Sequence, residues 1–520
     1  MTTTASALRS WFVDEPDLLF GDGERSVDPK TGLIQYGPFY PHQMGKPTPS
    51  DIRVGVIGDG ETIGLIKNWL ARIETSIPGR VPTAPLRRKG PYAKARPNPY
   101  LFPGYTGFEK TFRCKILTFQ GLEQRIEPEE LGPIHTEPDA NKRIGLASDL
   151  FAGKVEKLKD VLPPPMVVIC GLPKLIEEEA GSSGTKGARS ARPKITKAEH
   201  EIMDLMESGQ KFLSDFEIGE PPIAKSTFSF DLRRAMKWKC MRHGIPIQII
   251  RHSTLLGRGN MEDEATRAWN YSVAMYYKSD GFPWRLADFD PNTCYVGISF
   301  YREKLSTKEY LRTSFAQVFD SYGNGLVLRG QEAQIDRKRD WQPHLSESGA
   351  YSLLKDCLEN YSSSIKHPPS RAVVHKSSRF SDEEKRGFEK ASEGFGHVTM
   401  VAFGDRGVRA LRDGKYPPLR GTLVELPDKS LLLYTGGYSP FLSTYPGHRI
   451  PEPLELLEIY PPDDPTLVAR EILSLSKLNY NSARFAYKKP ITLAFAEEVK
   501  KILSEMPPDA EFQNRYKFYM

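Results

Sequence analysis

Apolar residues in this chain fall into two rhythms that alternate. Short, mostly apolar runs such as "DIRVGVIG" (51–58), "PMVVIC" (165–170) and "IPIQII" (245–250) read as buried strands. Between them lie amphipathic stripes of helical period: "ETIGLIKNWLARIETSI", "KRIGLASDLFAGKVEKLKDV", "FDLRRAMKWKCMRHG" (stopped by Gly244) and "ATRAWNYSVAMYYKSDG". "RCKILTF" adds a strand. Strands apolar on both faces, alternating with helices, predict an α/β fold with a helix-covered parallel sheet.

A second α/β unit starts near residue 290. Its elements are a strand at 294–300, "GNGLVLRG", a helix over "SGAYSLLKDCLENYSSSI", a strand "RAVVHKSS", a helix "SDEEKRGFEKAS" and a strand near "VTMVAF". A β-rich hairpin at 421–436 and two helices, "TLVAREILSLSKLN" and "TLAFAEEVKKILSEM", follow. Residues 1–49, rich in Gly, Pro and Asp, read as irregular with one short strand. The charged, small-residue stretch 176–200 reads as a mobile loop. The expected division is therefore 1–49 as an irregular segment, 50–288 as a first domain and 289–520 as a second. No internal repeat is visible.

With 520 residues, the chain is too long for one core. No run approaches the ~18 apolar residues that span a bilayer, and the N-terminus lacks the basic start and apolar centre of a leader. A membrane partner is not expected, and a cytoplasmic location is. Cys114, Cys170, Cys240, Cys294 and Cys357 are widely spaced within or near apolar segments, which favours buried thiols over disulfides or zinc. A net charge of +6 permits a nucleic-acid partner without demanding one.

"GVIGDGETIG" misses the dinucleotide fingerprint, since Ile63 stands where the third glycine belongs. A tight strand-to-helix turn is the better reading. The most informative stretch is 230–250. Arg233 and Lys237, four apart, leave one helix face together, and Gln248 is the lone amide in an apolar strand. Two cations and an amide meeting at one point would make a phosphate pocket. A basic surface helix beside a satisfied Gln is the alternative. His375 at a strand end reads as a packing residue, and Asp413 as a turn residue. In "CYVGISFYRE", Gly297 lets another backbone come close and Ser299 stands at the polar end. A two-metal nuclease needs carboxylates on neighbouring strand ends. These strands offer Ser299 and Ser377, and a hydroxyl lacks the charge to hold Mg²⁺.

The order of segments resembles the prokaryotic Argonautes of the short type, which hold only MID and PIWI domains. The motifs are "GIPIQII", "YYKSDGFPWRL", "YVGISF", "AVVHKSSRF", "YPPLRGT", "LYTGGY", "LSKLNYNSARF" with "KKPITLAFAEEV", and the end "YKFYM". The likeness runs from about residue 50 to the end and takes in "LLFGDGERSVDPKTGLIQYGP". It implies a Rossmann-like MID domain followed by a ribonuclease H-like PIWI domain.

The resemblance assigns the 5′ phosphate of a guide strand to Arg233, Lys237, Gln248 and Lys278. It seats a divalent ion, Mg²⁺, beside that phosphate on the terminal carboxylate of Met520. It places three positions of a catalytic tetrad at Ser299, Ser377 and Glu497, with Glu332 the candidate for the mobile glutamate, so two metal-binding carboxylates are missing and the chain is expected not to be an enzyme. Lys477, Arg484, Lys488 and Lys489 are the implied backbone contacts. The implied function is a sensor of invading nucleic acid in prokaryotic immunity, with guide RNA and a single-stranded DNA target. Its implied partner is a protein with an APAZ region and an effector, a TIR or sirtuin-like NAD-consuming domain or a nuclease, with a higher oligomer on activation. The rival expectation is a metal-dependent guided nuclease using Glu332, Asp413 and Glu497.

Overall fold

The computed structural model describes residues 8–40, 48–80, 98–181 and 231–520, apart from short stretches at 259–260, 289, 291, 306–307, 319–324, 336–341, 366, 394–395, 405, 411–416, 448–449 and 508–509. The first 40 residues are not irregular. They hold strands β1 (Ser10–Phe12), β2 (Leu18–Leu19) and β3 (Arg25–Ser26), then helix α1 (Pro29–Tyr36). Pro and Asp there are helix-start chemistry: Asp28 caps α1 by accepting from the Thr31 amide at 2.7 Å, and Pro29 opens it.

Next come β4 (Asp51–Gly58), α2 (Gly60–Glu74), α3 (Phe108–Phe112), β5 (Lys115–Leu117), β6 (Glu123–Arg125), α4 (Pro128–Thr136), α5 (Ala140–Lys159), β7 (Val167–Leu172) and α6 (Lys174–Glu179). Residues 176–179 thus belong to a helix rather than to a loop, because Leu175 and Ile176 pack into the core beneath. The rest of the expected loop, from 182, lies outside the described residues. Helix α7 (Leu232–Met241), β8 (Ile247–Arg251), α8 (His252–Leu255), α9 (Glu264–Lys278) and β9 (Arg285–Leu286) follow. Strands β5, β4, β7 and β8 form a parallel sheet in that order, and β6 also pairs with β4. This is the parallel sheet expected from the apolar runs, and the Rossmann-like layer that the resemblance implied. The turn after β4 is a helix cap: Asp59 accepts from the Thr62 amide at 2.8 Å. A side chain at Gly58 or Gly171 would crowd Thr62.

The second sheet has ten strands. Its centre is β10 (Thr293–Leu305), with β11 (Lys308–Val318), β12 (Gly325–Ile335) and β13 (Pro343–Leu345) running antiparallel on one side. Helix α10 (Glu347–Ile365) then crosses to β14 (Arg371–Lys376), and α11 (Asp382–Ser392) crosses to β15 (His397–Gly404). Both strands lie parallel to β10 or to each other. An antiparallel meander beside two parallel strands is a ribonuclease H-like layout. Strand β11 escapes the sequence pattern, since its polar residues break the apolar alternation.

Beyond β15 come β18 (Leu454–Tyr460), β17 (Leu431–Leu433), β16 (Thr422–Glu425) and, last, β1 from the opposite end of the chain. Helices α12 (Pro465–Leu475) and α13 (Ile491–Leu503) complete the fold. Alternation splits β10: Tyr295 joins the core shared with α13, whereas Val296, Ile298 and Phe300 face the core under α10 and α11. Gly297 faces α13 as its sequence context suggested, since a Cβ there would run into the Thr492 carbonyl. All five thiols are buried and unbridged.

Candidate nucleic-acid interface

Three elements of the first half bring one cluster together. Helix α7 carries apolar residues at 232, 235, 236, 240 and 241, which dock it on the core and set the direction of its other faces. Lys237 lies on the docked side and is 2 % exposed. Its ammonium donates to the Ile247 carbonyl of β8 at 2.6 Å. Lys278, the last residue of α9, is also 2 % exposed and donates to the Gln248 amide oxygen. A cation at that helix end suits the dipole. Arg233, one turn before Lys237, stays about half exposed, and its Nη1 stands 3.6 Å from Glu498 of α13. The structure thus brings Arg233, Lys237, Gln248 and Lys278 to one place. The helix is not basic all round toward solvent: Lys239 pairs with Asp149 at 2.8 Å and Arg234 with Glu505 at 3.0 Å.

The electrostatics of the cluster are unusual. Burial, with Arg233 close by, pulls Lys237 down to about 7. Burial pulls Lys278 well below its ordinary value, and Lys237 and Arg233 push in the same direction. The other buried lysines each meet a carboxylate: Lys154 with Glu130 at 2.8 Å, Lys376 with Glu384 at 2.7 Å, Lys477 with Glu15 at 2.7 Å and Lys517 with Asp280 at 2.8 Å. Among the described residues, neither a carboxylate side chain nor the chain terminus forms an ion pair with Lys237 or Lys278. Two desolvated ammonium groups without a counter-charge are costly unless an anion completes them.

The chain end lies beside this cluster. Tyr516 packs on Phe495 (ring centroids 4.1 Å apart) and on Tyr277 (5.9 Å), and Arg515 and Lys517 both pair with Asp280 at 2.8 Å. Met520 is 3 % exposed, which matches the apolar tail. For Mg²⁺ the chain by itself offers few ligands. The cluster supplies cations and an amide oxygen already held by Lys278. The Met520 carboxylate would be the chain's own anionic ligand, and the guide phosphate would have to supply the others, since Mg²⁺ commonly takes one or two carboxylates plus phosphates; no step is derived through a metal.

The expected backbone contacts divide. Arg484 and Lys488 are exposed, with long-range partners Glu262 at 3.4 Å and Glu452 at 3.3 Å, and Lys489 pairs with Glu497. Lys477 does not belong with them. It is 1 % exposed, donates to the Pro16 carbonyl at 2.9 Å and the Val27 carbonyl at 2.7 Å, and pairs with Glu15. Arg420, also buried, holds the same carboxylate at 2.8 Å and donates to Ser476 at 2.9 Å. Lys477 therefore ties the first strands to α12, and its apolar neighbours exclude water and any phosphate.

In the second half Ile298 lies beside Lys376 in register, so Ser299 and Ser377 follow as neighbours where the parallel pair ends. Ser299 is buried and Ser377 exposed. Glu497 sits on α13, which packs over β10, and is taken up by Lys489. The Glu332 side chain and Asp413 lie outside the described residues. His375 behaves as the packing residue expected: it shares a hydrogen bond with Thr492 at 2.8 Å, and burial, with Arg371, lowers it to about 3, so it is neutral near pH 7. Glu498 and Glu505 escaped the reading of the sequence. The only signal was an acid on α13 and another just past its end, whose partner face could not be known.

No protein-family model and no curated protein sequence matches the chain. Solved structures do. Clostridium butyricum Argonaute, bound to a guide DNA and a 19-mer target DNA, superposes with a TM-score of 0.61 at 15% identity, over 97% of this chain and 54% of that one. Aquifex aeolicus Argonaute gives 0.54 at 14% identity, over 99% and 56%. Drosophila Piwi gives 0.56 at 10% identity, over 98% and 56%. The chain thus has an Argonaute-like fold, with the Rossmann-like and ribonuclease H-like layers of MID and PIWI, and spans about half the length of these structures.

Proposed function

We propose that the chain is a guide-binding module of the short Argonaute type, which grips the 5′ phosphate of a guide strand and uses the guide to find a target. One observation carries this reading: Lys237 and Lys278 are the buried lysines without a carboxylate among the described residues, and they converge with Gln248 and Arg233. A terminal phosphate brings more than one negative charge and three acceptor oxygens to groups already stripped of water. Each charge-assisted contact contributes about 1.5–3 kcal/mol. Phosphate contacts position the strand, and base pairing supplies specificity.

The guide is RNA and the target single-stranded DNA in this proposal. The similar structures include one with a DNA guide and one with an externally bound siRNA, and the cluster reads the phosphate rather than the sugar. Exposed Arg484 and Lys488, with half-buried Lys489, steady the strand. The strand ends carry Ser299 and Ser377 where a cleaving site needs carboxylates, so the module binds without cutting. Its output then belongs to a partner, an APAZ-containing effector that is switched on by target binding in defence against invading nucleic acid, with assembly into a higher oligomer.

The test mixes the purified protein with a 5′-phosphorylated guide, labelled target and Mg²⁺ or Mn²⁺. Tight binding with intact target is expected. Target cleavage that disappears in Glu497→Ala would establish the nuclease instead. Sequencing of the nucleic acid that co-purifies, and identification of any second polypeptide, checks the guide and the partner.

A further inference from the structure

Two adjacent arginines on α7 are treated differently by α13 and the turn that follows it. Arg234 donates to Glu505, whose carboxylate is 4 % exposed, at 3.0 Å, and the same carboxylate accepts from the Asp231 amide at 3.3 Å. That contact is a latch: it is short, shared and shielded. Arg233 faces Glu498 at 3.6 Å, beyond hydrogen-bond length, and both side chains are close to half exposed. The other Glu498 oxygen accepts from Lys501, one turn along α13, at 2.7 Å. Glu498 therefore keeps a partner if Arg233 leaves. Arg233 in turn has a stronger attraction available, because it is the exposed member of a cluster whose two buried lysines have no carboxylate.

From this we infer that Glu498 is the resident counter-anion of the phosphate pocket, and that a guide's 5′ phosphate displaces it from Arg233. The inference rests on the pocket reading above and adds to it a specificity-determining residue from the other half of the chain. Glu498 cancels part of the positive charge at the pocket's mouth when no guide is present. An uncharged 5′ end offers nothing in exchange, whereas a phosphate replaces one carboxylate charge with a larger one and satisfies Lys237 and Lys278 as well. The Arg234–Glu505 latch holds α7 against the turn that ends α13 throughout, so the exchange requires only side-chain motion.

The experiment measures binding of two otherwise identical oligonucleotides, 5′-phosphorylated and 5′-hydroxyl, to wild type, Glu498→Gln, Arg233→Gln and the double variant by fluorescence anisotropy. Glu498→Gln is expected to tighten the phosphorylated strand roughly two- to fivefold, the range set by half-exposed ion pairs, and to leave the hydroxyl strand unchanged. The gain is expected to vanish in the Arg233→Gln background. A thermal unfolding curve confirms that each variant is folded, and Glu498→Ala gives the same sign if the amide makes a contact of its own. A wild type that prefers phosphate while Glu498→Gln and Glu498→Ala bind it equally or more weakly overturns the inference, as does a gain that persists without Arg233. A wild type with no phosphate preference removes the pocket reading itself, a separate result.

Discussion

Lys477 and Lys237 are equally hidden from water, yet their surroundings differ in sign. Lys477 lies with Arg420 around the Glu15 carboxylate, and backbone carbonyls at Pro16 and Val27 take its remaining donors. Lys237 lies with Lys278 and Arg233, and the oxygen it donates to is a neutral backbone carbonyl, that of Ile247. The first cluster is complete within the chain. The second is short of negative charge. The difference separates a structural cation from a binding one, which residue type and position in a basic run do not. It also explains why Lys477, with Asn479, Asn481 and Arg484 following it in sequence, resembles a nucleic-acid contact and is not one.

Disrupting the complete cluster should have the largest effect on the fold. Glu15→Gln leaves Arg420 and Lys477 buried without their anion and is expected to cost about 3–5 kcal/mol of stability. Chemical denaturation measures it; a change below about 1 kcal/mol would show that Glu15 compensates neither cation. Lys237→Met in the deficient cluster should do the opposite. Stability stays level or rises, because an uncompensated charge is replaced by an apolar chain of similar length. Preference for a 5′-phosphorylated strand falls by about 1.5–3 kcal/mol.

Proton linkage sharpens the contrast. The Lys237 ammonium is held near 7 in the folded chain against 10.5 when unfolded. Between those values the unfolded chain holds more protons, so this group makes stability rise with pH. Phosphate returns the proton, so the advantage of a 5′ phosphate should decline as pH rises above about 7. A titration of both oligonucleotides across neutral pH reads the difference, and a flat ratio would count against the deficient cluster. Smaller again is the effect of Arg484→Ala or Lys488→Ala. Each should weaken both strands by no more than about 1 kcal/mol, without regard to the 5′ end. Chelation of Mg²⁺ with EDTA should change the phosphate preference least of all, since Lys237, Lys278 and Arg233 already supply the positive charge.

Much of the fold was legible because local pattern and final environment agree. Strand β7 is buried at every position and β4 and β8 at most of their apolar positions, as their apolar runs require, and the helical stripes of α5, α7, α9 and α13 face the cores. What escaped depends on partners distant in sequence. Ser10–Phe12 becomes a strand only because Thr422–Val424 offers it an edge. Residues 25–36 look irregular until Asp28 caps a helix. The pocket was half legible: spacing placed Arg233 with Lys237, but no spacing shows that Lys278 reaches Gln248 or that Glu498 stands opposite Arg233. Lys477 was misread for the same reason, because its anion comes from the other end of the chain.

The central claim is that Lys237 and Lys278 are completed by a terminal phosphate. The most direct measurement is the ratio of affinities for a 5′-phosphorylated and a 5′-hydroxyl strand, in wild type and in Lys237→Met. The account expects at least about a tenfold preference in wild type, from one charge-assisted contact, and its collapse in the variant. Equal affinity for the two strands in wild type, or a preference that survives Lys237→Met intact, would contradict it.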